Sequence, residues 1–147
     1  MPGTRRAVAS TGAAGSRTPA QVSGDAAEAL VATRLSRGGW TILGTNVRVG
    51  RGELDIVAVD PGPPAELVIV EVRWRGSRAF GLPEESVDWR KRRRLREAGF
   101  GLVEIGSFPD GRTVPRLGVR FDLVLVEPAA APDPELRIRH HRNVLGS

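Results

Sequence analysis

Two apolar runs that carry acidic residues constrain the fold of this chain more than any other feature; they are GELDIVAVD at 52–60 and ELVIVEVRWR at 66–75. Side chains alternate between the two faces of an extended strand. Glu53 and Asp55 therefore project from the same face of the first run, and Glu71 and Arg73 repeat this spacing in the second. Each run thus places a carboxylate where a buried strand should carry only apolar residues.

The breaker-rich segment PGPPA at 61–65 joins the two runs and predicts a hairpin. A turn about Pro63 opposes the following pairs: Val59 and Leu67, Val57 and Ile69, Asp55 and Glu71, Glu53 and Arg73. Because opposed Cβ atoms lie about 5 Å apart, the hairpin gathers three carboxylates and one guanidinium in one patch.

This acidic patch has two interpretations. Closely spaced like charges repel unless something neutralises them, and carboxylate oxygens without cysteine or histidine nearby favour a hard cation such as Mg²⁺ or Mn²⁺. We therefore expect a functional metal site here. The alternative is a set of ordinary hairpin salt bridges, with Glu53 paired to Arg73.

Composition narrows the class of protein. A chain of 147 residues is long enough for one domain with a real core. The absence of cysteine excludes disulfides, thiolate metal sites and cysteine nucleophiles, and it fits a reducing compartment. No apolar run reaches the roughly 18 residues that span a bilayer, and the amino terminus lacks the hydrophobic segment of a secretory signal. We expect a cytoplasmic protein.

The net charge points to a polyanionic partner. The formal charge is +5 and the isoelectric point is about 11.2, so nucleic acid is the obvious candidate. Lys91 is the only lysine. The arginine bias by itself could reflect the composition of the host genome and is not evidence of phosphate recognition.

The remaining segments complete an α/β order. Residues 1–22 are mostly Ala, Gly, Ser, Thr, Pro and Arg with almost no large apolar side chains, which predicts a disordered tail, and 23–145 form one predicted domain. The domain is predicted to begin with a helix from Ser23 or Gly24 to the glycine pair at 38–39, followed by a strand at 40–49 and the two acidic strands. A second helix is predicted from Pro83 or Glu84 to Gly99, and its extension to Val103 is left open. A strand at 117–127 and a short strand or surface segment at 137–145 complete the domain.

Two charged residues in the predicted helices share the spacing of the apolar stripes, which indicates whether their side chains face the sheet. Glu28 shares a stripe with Val31 and Leu35, so it either faces the sheet or is simply solvated. In the second helix the apolar stripe contains Val87, Leu95, Ala98 and Leu102, and it also contains Lys91, which therefore points inward.

The outward arginines of the second helix suit phosphate contacts, although a charge run is usually a solvated surface. We select Arg75, Arg90, Arg93 and Arg94 as nucleic-acid-binding candidates; Arg92 and Arg96 belong to the same cluster. Trp74 and Trp89 flank it and either stack on bases or pack in the core. Asp122 is expected to form a structural ion pair with Arg48, Arg73 or Arg120.

These motifs in this order resemble the YraN-like family of small bacterial predicted nucleases: GELDI, then VEVRWR, then a lysine in the next helix, then RFD and a late Asn–Val pair. The resemblance covers roughly 24–145. That family is assigned to the restriction-endonuclease-like PD-(D/E)xK superfamily. It implies an α/β core of helix, three strands, helix and strand, with a central mixed sheet flanked by helices, which is the order derived above.

The resemblance also implies site residues. Asp55 and Glu71 would bind Mg²⁺ or Mn²⁺, with Glu28 or Glu53 as a further ligand, and Arg73 would occupy the position of a catalytic lysine. This arginine departs from the family pattern, because it supplies charge but does not act as a base at ordinary pH. Either Arg73 suffices electrostatically, or Lys91 reaches the site, or the domain no longer cleaves.

The implied function is metal-dependent endonuclease cleavage of DNA, with branched or structured DNA as a candidate substrate. A catalytically weak or inactive nucleic-acid-binding or adaptor protein of the same fold is the alternative. A plain structural domain is a third interpretation. A homodimer stays open, because one chain does not reveal dimer geometry.

Overall fold

The computed structural model describes residues 19–75, 88–128 and 136–145. In chain order its elements are α1 (Pro19–Arg37), β1 (Thr41–Val49), β2 (Gly52–Asp60), β3 (Glu66–Trp74), α2 (Trp89–Ile105), β4 (Gly118–Pro128) and β5 (Leu136–His141). This mixed α/β arrangement confirms the predicted order and adds β5 at the sheet edge, where the sequence left a strand or a surface segment open. No helix in these ranges is long and apolar enough to cross a membrane.

The five strands form one mixed sheet in the order β1-β2-β3-β4-β5. All neighbours are antiparallel except β3 and β4, which run parallel. A parallel pair needs a long crossover connection, and α2 lies in it. The register of the acidic hairpin is as predicted where it pairs, with Val59 opposite Leu67 and Val57 opposite Ile69.

Each helix covers one face of the sheet with its own apolar cluster. Val31 and Leu35 of α1 pack with Ile56 and Val70, whereas Leu95 and Leu102 of α2 pack with side chains of the opposite face, including Val57, Ile69 and Phe121. Successive side chains of β2 and β3 therefore point alternately into the core under α1 and the core under α2. Asp55 and Glu71 lie two residues from Val57 and Ile69 and therefore on the same face of the sheet, the face that α2 covers.

Helix α2 lies very close to the sheet at Gly99. A Cβ atom at that position would stand 2.7 Å from Phe121 Cε2 and 3.2 Å from Ile69 Cγ1, so only glycine fits without a shift of the helix or the ring. The helix therefore continues past Gly99, as the extension to Val103 allowed, because that glycine serves close packing rather than a helix end. The helix instead ends at Gly106, whose φ of 80° and N–H to Leu102 carbonyl bond form the C-cap.

The predicted starts of both helices also need correction. α1 begins at Pro19, a residue well suited to the first helical turn, so the helix extends into the end of the predicted tail; residues 1–18 lie outside the described residues. α2 begins at Trp89 because the extended Asp88 caps it, its side chain accepting a hydrogen bond from the Lys91 amide. Positions 83–87, including Val87, lie outside the described residues.

Asp122 is a fully buried carboxylate on the face that α1 covers. Both of its oxygens bind the Arg120 guanidinium at 3.0 Å, His140 Nε2 lies 2.8 Å from Oδ2, and the Asn143 amide donates to Oδ1 at 2.8 Å. Burial alone would raise the pKa of Asp122, but these bonds outweigh it and hold the pKa below its usual range. The predicted pairing with Arg120 is therefore confirmed.

Arg120 connects this carboxylate to the far end of the acidic hairpin. Its Nη1 lies 3.0 Å from Asp60 Oδ2 and 2.8 Å from Glu66 Oε1, and its guanidinium stacks 5.4 Å from the Trp40 ring centre. A single half-buried arginine thus joins the ends of β2 and β3 to β4.

Replacing Asp122 with alanine should destabilise the protein by about 3 kcal/mol, because it removes one partner of a buried charge pair. The pKa of folded Asp122 lies below the ordinary value of 3.8, so its contribution is complete above that pH and is lost as pH falls through the folded pKa. Urea unfolding at pH 7 and pH 3 measures this. Glu66→Ala, which removes a more exposed partner of Arg120, is the control; an equal cost for both variants at pH 7 would contradict the assignment.

Candidate active site

Asp55 and Glu71 lie where β2 and β3 separate. The described ladder between these strands ends at Ile56 and Val70, so Asp55 and Glu71 are the next residues outward. Asp55 Oδ2 accepts a hydrogen bond of 2.9 Å from the Val72 amide. The side chain thus satisfies a backbone donor of β3 near the end of the described ladder, and it fixes one carboxylate beside the other.

The surroundings of Asp55 strongly perturb its carboxyl group. Burial raises the pKa of Asp55, and the negative charge of Glu71 raises it further, to about 8, although the Val72 amide opposes both effects. Asp55 also shares a hydrogen bond with Glu71, which is only 5% exposed. Asp55 therefore keeps its proton at neutral pH, and a cation bound beside the two carboxylates would take the place of that proton.

Two cationic side chains approach Glu71. Lys91 Nζ lies 3.1 Å from Glu71 Oε2, whereas Arg73 Nε lies 3.7 Å from the same oxygen. Helix α2 thus points Lys91 inward, the direction its stripe predicts, and the lysine comes closer to the carboxylate than the arginine does. Both side chains are about one-third exposed, so they remain accessible from solvent.

Asp55, Glu71 and Lys91 line an open cleft of about 370 Å³ between the sheet and α2. The sheet contributes Glu53, Asp55 and Glu71, and the helix contributes Lys91 and Arg94. Arg51, in the turn between β1 and β2, completes the basic rim. The cleft therefore has an acidic floor and a rim of three cations.

Of the other two predicted metal ligands, Glu53 lines the same cleft as the pair and Glu28 does not. Glu53 stands opposite Arg48 of β1 in the sheet register, and the described β2–β3 ladder ends before the predicted pairing of Glu53 with Arg73. Glu28 lies in a separate cavity of about 260 Å³ beside Asp25 and Asn46.

Glu28 nevertheless lies within the electrostatic field of the site. Burial and the charge of Asp25 raise the pKa of Glu28, a hydrogen bond from the Asn46 side chain opposes this, and the charges of Glu53 and Glu71 add to the rise. Glu28 is thus half-buried and directed to a polar partner rather than simply solvated. Asn46 adopts a positive φ of 51°, a conformation that asparagine tolerates better than most residues.

The predicted nucleic-acid-binding arginines fall in different places. Arg94 borders the cleft, Arg90 and Arg93 are exposed on α2, and Arg75 is half-buried after the end of β3. Trp89 is 64% exposed with the Arg90 guanidinium 5.3 Å from its ring centre, so it does not pack in the core. Trp74 is half-buried and packs against the α1-facing cluster.

The donor set suits a hard cation that keeps most of its water. Within the described ranges no group of three or more histidine or carboxylate side chains stands ready to hold a metal. Two carboxylates with water completing the shell are nevertheless a usual arrangement for Mg²⁺. Asp55 and Glu71 fit that arrangement, because they line the same open cleft and share a hydrogen bond, which places their oxygens side by side.

Fold and site together define a mixed α/β protein with a restriction-endonuclease-like core and an acidic pair at the diverging end of its central strands. The chain belongs to the uncharacterised protein family UPF0102, the YraN-like family, whose sequence model matches residues 27–126. The family expectation drawn from the motifs is therefore confirmed.

Relatives in this family are similar over most of their length. A UPF0102 protein of Symbiobacterium thermophilum is 41% identical over 121 residues, which are 82% of this chain and 92% of that protein. One from Moorella thermoacetica is 43% identical over 103 residues, covering 70% and 78% of the two chains. One from Dehalococcoides mccartyi is 33% identical over 123 residues, covering 84% and 92%.

Asp55→Asn should stabilise the protein at alkaline pH when divalent cations are removed by EDTA. The pKa of folded Asp55 is raised from 3.8 to about 8, so the folded state binds the proton more tightly and this group's contribution to stability falls as pH rises between those values. The variant should exceed the wild type by on the order of 1 kcal/mol at pH 8.5 and by less at pH 5.

Urea unfolding at the two pH values measures this difference. Glu104→Gln, which changes an exposed carboxylate on α2, is the control and should give no such pH dependence. A wild type more stable than Asp55→Asn at pH 8.5 would show that Asp55 is stabilised as a carboxylate.

Proposed function

We propose that this protein is a metal-dependent nuclease that hydrolyses phosphodiester bonds in DNA. The observation that carries the proposal is the adjacency of Asp55, Glu71 and Lys91 in an open cleft, with Lys91 Nζ 3.1 Å from Glu71 Oε2. An acidic pair formed by half-buried Asp55 and buried Glu71, with a lysine beside it in a cleft bordered by arginines, suits a phosphate ester and a cation bound together.

Each residue of the cleft has a role in this proposal. Asp55 and Glu71 hold the cation, and the Val72 amide keeps the Asp55 carboxylate in place. A bound Mg²⁺ or Mn²⁺ would lower the pKa of a water molecule and neutralise charge on the phosphate. Arg51 and Arg94 bind phosphate oxygens at the rim.

Lys91 is the residue that we assign to the missing catalytic lysine. Its ammonium group is positioned to hydrogen-bond an attacking water or a phosphate oxygen next to Glu71, a role that needs a compact donor. Arg73 lies farther from the same carboxylate oxygen and contributes charge. A protein of this fold that binds DNA without cleaving it is the competing function, and the arginine at position 73 is the observation that favours it.

Cleavage assays on labelled DNA test the proposal. Single-stranded, duplex, flapped and four-way-junction DNA should be incubated with Mg²⁺ or Mn²⁺, and we expect cutting of at least one substrate that EDTA abolishes. Asp55→Asn and Glu71→Gln should each lower the rate by roughly 100-fold or more. Asp110→Asn, which changes an exposed carboxylate outside the cleft, should cut normally; binding without cutting by the wild type would support the noncatalytic alternative.

Lys91→Met should lower the cleavage rate by about 100-fold while leaving DNA affinity within a few-fold of the wild type, because the lysine acts next to the reacting phosphate. The matched control is Arg96→Met, which removes a cation from another face of α2. It should change affinity and its salt dependence rather than rate. Full activity in a folded Lys91→Met protein would remove Lys91 from the mechanism and leave Arg73 as the functional cation.

A further inference from the structure

A second groove of about 370 Å³ opens directly from the cleft. The two cavities share Arg51, Gly52, Arg94 and Ala98, so they meet along a line between the β1–β2 turn and α2. The carboxylates lie on one side of this line. On the other side the groove continues toward the carboxyl-terminal end of the helix.

The surface of this groove is mainly apolar. Val49 and Ile105 line it beyond the shared residues, and Ile105 is 64% exposed, which leaves an aliphatic side chain facing solvent. The acidic residue in its lining, Glu97, lies 3.4 Å from Arg93 Nε and is thereby partly neutralised. An apolar groove entered between two guanidinium groups matches a ligand with a flat apolar part joined to a phosphate.

We propose that this groove binds the base of the nucleotide next to the scissile phosphate, with the neighbouring phosphate held between Arg51 and Arg94. This inference rests on the proposed nuclease function and specifies its substrate. The strand would pass from the carboxylates over the two arginines and turn its base into the groove against Val49 and Ile105. Charge complementarity and the continuity of the two cavities select a nucleotide over an uncharged apolar ligand.

The groove implies a preference for unpaired nucleotides. A base that enters a groove between a helix and a turn gives up pairing and stacking, which costs least where the nucleotide is already unpaired. Flapped, junction or mismatched DNA therefore satisfies the site, whereas continuous duplex must first expose a base. The substrate class is DNA with an unpaired nucleotide beside the cut.

Binding measured without cleavage tests this inference. Flapped DNA carries the fluorescent base 2-aminopurine at the branch point, on one or the other side of the expected cut, in Ca²⁺ or EDTA buffer. Fluorescence should rise on binding at one position, because the base leaves its stacked neighbours for an aliphatic surface. A flap with an abasic nucleotide at that position should bind about tenfold more weakly.

Two variants distinguish binding of a base in the groove from general affinity for DNA. Ile105→Gln should weaken binding of the intact flap about tenfold and leave the abasic flap unchanged. Leu136→Gln, which alters an exposed aliphatic residue on the opposite edge strand β5, should affect neither. Equal affinities for intact and abasic flaps, with no fluorescence change at either position, would overturn the inference.

Parallel cleavage assays in Mn²⁺ distinguish this failure from failure of the proposed function. Cutting that is indifferent to the abasic site and to Ile105→Gln overturns the groove and keeps the nuclease. A fluorescence rise that depends on Ile105, without cutting of any substrate, supports the groove and rejects catalysis. Absence of binding to any DNA overturns both.

Discussion

The hydrogen bond from the Val72 amide to Asp55 is the contact on which the site depends. This hydrogen bond lies just beyond Ile56 and Val70, the last described pair of β2 and β3. Its acceptor is the Asp55 carboxylate instead of a backbone carbonyl of the neighbouring strand. The strands can therefore separate without leaving the Val72 donor unpaired. Asp55 is held at the mouth of the opening, beside Glu71 and facing α2.

The sheet places a second buried carboxylate in opposite surroundings. Asp122 receives bonds from Arg120, His140 and the Asn143 amide, which lower its pKa, whereas burial and a like charge raise the pKa of Asp55. Similar side chains thus have different uses because their partners differ. The carboxylate of Asp122 holds strands together, whereas the carboxyl of Asp55 is the one that the proposed function assigns to cation binding.

Much of this arrangement could be predicted from local patterns. Alternation along two strands and a short turn suffice to bring Asp55 and Glu71 together, and a helical stripe suffices to point Lys91 inward. These residues depend on neighbours in sequence or across one hairpin.

What the sequence did not indicate depends on packing between distant segments. Arg51 lies in a turn whose place beside α2 follows only from tertiary structure, and the convergence of Asp60, Glu66 and His140 on Arg120 and Asp122 joins four strands. Glu28 lies on a recognisable helical stripe, but the sequence did not indicate its hydrogen-bond partner, because Asn46 belongs to β1. Gly99 carries the usual signal of a helix end, and only the Phe121 ring explains why the helix continues past it.

The close packing at Gly99 also governs the dimensions of the cleft. Lys91 and Gly99 are about two turns apart on one rigid helix, so the height of the helix above Phe121 determines how far the lysine stands from Glu71. A single added methyl group at Gly99 would act as a wedge and lift the two cations that α2 contributes to the rim, Lys91 and Arg94. The distance between Lys91 and Glu71 thus depends on the absence of a side chain at Gly99, a residue that contacts neither of these charged groups.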